Sequence, residues 1–203
     1  NIADPDYGAK LTAKTGANVY GLLTARDADT SVVLANSQGS SVRRLEDDSQ
    51  VTIGRYRRDF GDRSHAGLLV TDRRGSDYEN QVASFDTTWR LTKKDSISLQ
   101  YAASDTRNPA LLTDAGLDLN QSDHAFEAQY RHFGPTWAWS ASHNVVGADF
   151  RADAGFINAA DIENSNAWLD YRWTGQPEAA ITNIIGGVQS VSYTHLRAHE
   201  TYD

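Results

Sequence analysis

The chain has 203 residues, a net charge of −8, and neither Cys nor Met. Without Cys there is no disulfide framework, thiolate metal site or cysteine nucleophile; without Met the first residue is not an initiator, so a mature form or an internal fragment is expected. The acidic balance, with a pI near 5.1, argues against nucleic acid as a partner, because that binding is dominated by Lys and Arg contacts to phosphate.

Polar/apolar alternation bounded by Gly, Pro, Asp and Asn predicts about ten strands, near residues 7–14, 17–27, 49–60, 63–72, 79–92, 95–105, 121–133, 136–147, 162–174 and 179–189. Most approach the ~9–11 residues that a tilted strand needs to cross a bilayer, and they exceed the ~5–6 residues usual in soluble sheets. Tight turns are expected at Lys14-Thr15-Gly16, Gly61-Asp62, Lys93-Lys94, Gly134-Pro135 and Thr174-Gly175-Gln176-Pro177. Longer polar loops fall between them, at Asp27–Asp48, Asp72–Tyr78, Thr106–Asn120 and Ala148–Asp161. Short turns at one end and long loops at the other describe an outer-membrane barrel. No apolar run is long enough for a helical span, and a mean hydropathy of −0.56 fits strands that give only alternate residues to lipid.

The faces separate well in mid-chain. Ala83, Phe85, Thr87, Trp89 and Leu91 oppose Asn80, Ser84, Asp86, Thr88 and Arg90; Ile97, Leu99 and Tyr101 oppose Ser96, Ser98 and Gln100. Phe126, Ala128 and Tyr130 oppose Glu127, Gln129 and Arg131; Trp137, Trp139, Ala141 and Val145 oppose Ser140, Ser142 and Asn144. Such strands offer one face to lipid and one to a polar interior, with Asp86, Arg90, Glu127 and Arg131 the candidate lumen-facing charges. Asp86 is expected to balance Arg90, and Glu127 to balance Arg131. Strand 49–60 fits poorly, because Val51 and Ile53 share a face with Arg55 and Arg57; a bulge near Gly54 or a changed register is expected. Strand 179–189 also mixes its faces. Phe60, Trp89, Phe133, Trp137 and Trp173 lie near short turns and read as an aromatic girdle at headgroup level. The alternative is core aromatics of a soluble β-sandwich.

Tyr7-Gly-Ala-Lys-Leu-Thr-Ala-Lys-Thr-Gly followed by Val19-Tyr-Gly-Leu-Leu-Thr-Ala-Arg resembles a hairpin of an uncharacterised bacterial outer-membrane β-barrel family. The stretches from Gly54 to Arg73 and from Asn80 to Leu91 are similar to that family's later segments, with Ala13 a departure where the pattern prefers Gly. The resemblance covers roughly 1–188. It implies an antiparallel up-and-down transmembrane β-barrel, here a fragment of about ten strands, in the outer membrane of a Gram-negative bacterium. It also implies a carbohydrate-binding family-nine-like sandwich ahead of the barrel, and so a link to glycans. The family carries no established catalytic residues, cofactor or metal. An open ten-strand sheet would leave two unpaired edges, which a bilayer does not tolerate.

Residues 1–189 are read as the partial barrel and 190–203 as a non-native tail. The run from Val191 to Asp203 breaks the strand pattern and resembles translated sequencing-adapter read-through, which belongs outside fold reasoning. His195, His199 and Glu200 have superficial metal-ligand spacing, but they fall in that tail.

Other chemistry is thinner. His143 follows Ser140 and Ser142, but residues three apart on a strand point to opposite faces, so a hydrolase would need a Ser or carboxylate from a neighbouring strand. The remaining histidines, His65, His124 and His132, read as interfacial or lumen residues. Loop carboxylates (Asp27, Asp29, Glu46–Asp48, Asp114, Asp118, Asp149, Asp153, Asp161) read as solvated, with calcium the alternative. A glycosidase-like pairing of Asp86 and Glu127 is the alternative to charge balance, which explains them more simply. Arg55, Arg57, Arg58, Arg63, Arg73 and Arg74 read either as a lumen ladder steering anions or as a surface strip neutralising loops and lipid phosphates. The expected role is structural, transport or glycan-related and not enzymatic, with outer-membrane lipid as partner and the oligomeric state open. The alternatives are a barrel-embedded hydrolase and a soluble carbohydrate-binding sandwich.

Overall fold

The computed structural model describes residues 5–28, 30–45, 47–61, 63–155, 157–176, 178 and 180–196. Its strands are β1 (Pro5–Thr15), β2 (Asn18–Asp27), β3 (Ser31–Asn36), β4 (Gly39–Arg44), β5 (Ser49–Phe60) and β6 (Ser64–Arg74), then β7 (Glu79–Arg90), β8 (Asp95–Arg107), β9 (Asn120–Phe133), β10 (Trp137–Val146), β11 (Ile162–Thr174) and β12 (Asn183–His195). One helical turn, α1 (Ala110–Thr113), precedes β9. Ten strands make one antiparallel sheet in the order β1-β2-β5-β6-β7-β8-β9-β10-β11-β12. The chain is thus all-β and walks across the sheet one strand at a time. Among the described residues β1 pairs with β2 and β12 with β11, so both are sheet edges.

The expected rhythm of connections holds with three changes. Gly16 takes the positive φ (59°) that a tight reversal between Thr15 and Asn18 demands. The loop 28–48 is not featureless: β3 and β4 form their own two-stranded sheet there. The connection 75–78 is tight, closed by Gly75 N–H to the Tyr78 carbonyl at 2.8 Å, because β6 runs on to Arg74. The turn expected at Thr174–Pro177 is instead a wider link to Asn183, closed by Gly175 N–H to Thr182 O at 2.9 Å; Pro177 lies outside the described residues. Beyond it, β12 continues through Val191–His195, paired with Ile162–Asn166, into the segment read from sequence as a foreign tail.

The bulge expected near Gly54 does not form. β5 pairs in unbroken register with β2 and with β6, so Val51, Ile53, Arg55 and Arg57 do share one face. The reason is that this face is not uniformly wet. Val82 and Ala102 also lie on it, where Phe150 covers them with Ala125, Val146, Ala152 and Ile157 packed around. The loop between β10 and β11 therefore folds back over the polar face. A second cluster, Val32, Leu45, Tyr78 and Leu112, joins the β3–β4 hairpin to α1 at the same long-loop end.

Among the described residues, nothing forms a second layer on the opposite face. Register aligns Tyr20, Tyr56, Leu68, Phe85, Tyr101 and Phe126 in one row across six strands. Leu68, Phe85 and Tyr101 in that row are 53%, 42% and 48% exposed. A sandwich would bury this row under a facing sheet; among the described residues the other sheet is the two-stranded β3–β4, and it contacts none of the ten strands in that way.

Candidate functional site

Cross-strand register on the polar face sets Arg57, Gly67, Asp86, Gln100, Glu127 and Asn144 side by side from β5 to β10. A second row nearer the short turns holds Arg90, Ser96, Arg131, Ser140 and Trp168. The four charges expected on this face are there, but not in the expected pairs. Asp86 and Arg90 stand four residues apart on one strand, about 13 Å at ~3.3 Å per residue. Asp86 pairs instead with Arg55, whose Nη2 donates to Oδ2 at 2.9 Å while Nη1 donates to Oδ1. His65 Nε2 approaches the same carboxylate at 3.6 Å. For the same reason of spacing, Glu127 and Arg131 make no ion pair.

Gly67 makes the Arg55–Asp86 contact possible. It lies on the strand between them, and a Cβ there would come within 2.6 Å of the Arg55 guanidinium. A glycine in a strand interior loses packing; here it leaves the gap across which the arginine lies. Beside this pair, a cleft of about 240 Å³ is lined by Val82, Ser84, Gln100, Glu127, Asn144 and Phe150. A smaller one of about 130 Å³ adjoins it at Asp86, Ser98, Gln100 and Glu127.

Toward the long loops the polar face closes over a buried hydrogen-bond network. Arg73 is 4% exposed and donates to Ser49 Oγ (3.0 Å), Asp27 Oδ2 (2.9 Å), Ser31 O (3.3 Å) and Asp153 O (2.9 Å). Arg151 pairs with Asp153 and donates to Asn108 Oδ1. Tyr78 donates its hydroxyl to Asp153 Oδ2. Asn80 binds the loop from both ends of its amide, donating to Arg151 O at 3.3 Å and accepting from Asp153 N–H at 3.0 Å. Nearby, Asp123 accepts from Asp149 N–H at 3.0 Å, and Gln121 donates to Asp149 Oδ1 at 3.0 Å. Two buried guanidinium–carboxylate pairs whose arginines also donate to neighbouring oxygens are the arrangement in which buried charge is tolerated. Burial, and then the Asp153 carboxylate, push the Tyr78 phenol well above its ordinary value. In the outer loop, the Ser76 N–H and hydroxyl hold Asp47 below the usual carboxylate range.

The arginine cluster divides. Arg55, Arg57 and Arg73 lie on the polar face, whereas Arg58 and Arg74 fall on the other by strand alternation. Of the expected girdle, Phe60, Trp89, Trp137 and Trp173 share the apolar face near the short turns. Phe133 does not: it stands seven residues after Phe126 in the unbroken β9, so period two turns it to the polar face, where its ring lies 5.9 Å from Trp168. Among the described residues no group of three or more His, Asp or Glu is arranged to hold a metal; His199 and Glu200 lie outside those residues. No helix there is long and apolar enough to cross a membrane.

Ser140 and His143 do point apart. Ser140 donates to Tyr130 O at 3.0 Å on the polar face, while His143 meets a residue that sequence reasoning missed. Ser165, its register partner on β11, lies with Oγ 2.9 Å from His143 Nδ1. Only the pairing of β10 with β11 brings them together.

Comparison with protein-family models, with curated proteins and with solved structures found no match. The resemblance to an outer-membrane family stands on the motifs of residues 7–26, 54–73 and 80–91 alone.

Proposed function

We propose that the chain is part of a transmembrane β-barrel of a Gram-negative outer membrane, with a structural or transport role for polar solutes. The observation that carries this reading is the contrast between the two faces. One carries an exposed apolar band with nothing among the described residues packed on it; the other is polar and has a loop folded over it. An exposed apolar surface of this extent marks a contact with something apolar, and lipid is the partner that fits a band at least six strands wide. Trp89, Trp137 and Trp173 near the short turns fit the aromatic belt of such a band.

On this reading the polar face lines a lumen, and the β10–β11 loop narrows it at the long-loop end. Ser98, Gln100, Gln129, Ser142 and Asn144 offer hydroxyl and amide groups, and Trp168 an aromatic surface. That mixture suits neutral polyhydroxylated solutes, which fits a role connected with glycans. The edges at β1 and β12 would be met by further strands or by other copies.

Fractionation of the parent protein tests the reading, with gel migration before and after boiling as the readout. Recovery in the outer membrane with a heat-dependent shift supports it. A soluble protein with unchanged migration overturns it.

A further inference from the structure

Near the long-loop end of β10 and β11, the otherwise apolar face carries a serine, a histidine and a carboxylate within reach of one another. His143 Nδ1 lies 2.9 Å from Ser165 Oγ, and His143 Nε2 lies 4.0 Å from Glu163 Oε1. All three are on one face, because His143 pairs with Ser165 and Val145 with Glu163 in the β10–β11 register. Nucleophile, base and carboxylate thus stand in the order that acyl transfer uses.

A second observation names the substrate. Directly toward the short turns on the same face, Ala141 pairs with Ala167. These small side chains floor an open, shallow depression of about 490 Å³ edged by Trp139, Leu169 and Val188. Same-face neighbours are about 6.6 Å apart along a strand, so Ser165 stands at the rim of this depression. Ser165 is also three residues from Ile162, where β11 begins at the loop end, about 10 Å of strand. That depth is near the boundary of headgroup and hydrocarbon, where lipid ester carbonyls lie.

We propose that Ser165, His143 and Glu163 form a lipid-facing acyl-ester hydrolase site, with the acyl chain of a membrane glycerolipid lying in the Ala141–Ala167 depression. The proposal rests on the reading of this face as lipid-exposed. Ser165 Oγ attacks the ester carbonyl carbon as its proton passes to His143 Nδ1. The acyl C–O bond breaks, and His143 returns that proton to the departing lipid alcohol. Water then attacks the acyl–Ser165 ester with His143 again as base, releasing the fatty acid and restoring the hydroxyl. Glu163 is a positioning residue, favouring the tautomer with the proton on Nε2 and stabilising the imidazolium.

The test reconstitutes the parent protein, whose further strands pair the edges at β1 and β12, into phosphatidylethanolamine–phosphatidylglycerol vesicles and treats it with an alkyl fluorophosphonate. The adduct is mapped by mass spectrometry, fatty-acid release is followed, and protease protection of the strands is read on the same sample. The expected result is protected strands, an adduct on Ser165 and fatty-acid release. Ser165→Ala abolishes the adduct and the release, and His143→Gln slows both about 10²–10⁴-fold. Glu163→Gln lowers kcat with KM unchanged, and Glu163→Asp recovers most of the loss. Protected strands without an adduct on Ser165, or labelling at full rate in His143→Gln, overturn the site and leave the barrel standing. Labelling of Ser165 in a chain whose strands are unprotected overturns the lipid-facing assignment, and with it the lipid substrate.

Discussion

Arg55 on β5 reaches across β6 to hold Asp86 on β7, two nitrogens on two oxygens. Gly67 on β6 lets the guanidinium pass, because its missing side chain leaves the space it occupies. Gly67→Val fills that space and separates the pair. Overpacking of this kind costs about 1–3 kcal/mol, read as a lowered denaturant midpoint in detergent. Asp86→Asn with Gly67 intact keeps the packing and loses only the charge, so it lowers the midpoint less. Equal midpoints for Gly67→Val and the parent contradict the geometry.

The β10–β11 loop is held down by charge as much as by Phe150. Arg151→Met leaves Asp153 buried with its main cation gone, and such a break costs about 3–5 kcal/mol. Phe150→Ala removes the apolar contact with Val82 and Ala102 and costs about 3–5 kcal/mol. Either change frees the loop from the polar face, so limited proteolysis within 148–155 accelerates in both. Cleavage at the parent rate in both variants contradicts the loop's placement.

Stability falls at both ends of the pH scale, from different residues. Asp47 has its folded-state pKa lowered by Ser76. Its contribution is therefore present above the unfolded value of about 3.9 and is lost as pH falls through the lower folded value. Tyr78 has its folded-state pKa raised by burial and Asp153. Its contribution is full below about 10 and is lost as pH rises beyond that. Unfolding midpoints against pH check both signs: Asp47→Asn flattens the acid limb, and Tyr78→Phe the alkaline one.

The mid-chain strands were legible because their alternation is strong: Phe85 against Asp86 and Tyr101 against Gln100 settle a face without any tertiary information. The last strand was not, because its faces mix; it runs Asn183–His195 and not 179–189. The hairpin of Ser31–Asn36 with Gly39–Arg44 was not, although Gly39 at φ 137° marks its turn, because its polar residues matched a loop equally well. Charge pairing failed for another reason. Sequence proximity suggested Arg90 for Asp86, whereas a sheet brings Arg55 closer from a different strand. The loop network was hidden altogether, since Arg73 meets Asp153 O across 80 positions and Asn80 meets Arg151 O across 71. His143 was visible as a candidate base, but Ser165 becomes its partner only through strand register.

The absence of native Cys allows the central claim, that one face meets lipid and the other water, to be measured at single introduced thiols. Leu99→Cys and Gln100→Cys are neighbours on β8 with opposite faces, each labelled with an environment-sensitive fluorophore in vesicles. The account predicts quenching at position 99 by brominated lipid and at position 100 by aqueous iodide. Iodide quenching at both positions, with no effect of brominated lipid, would contradict it.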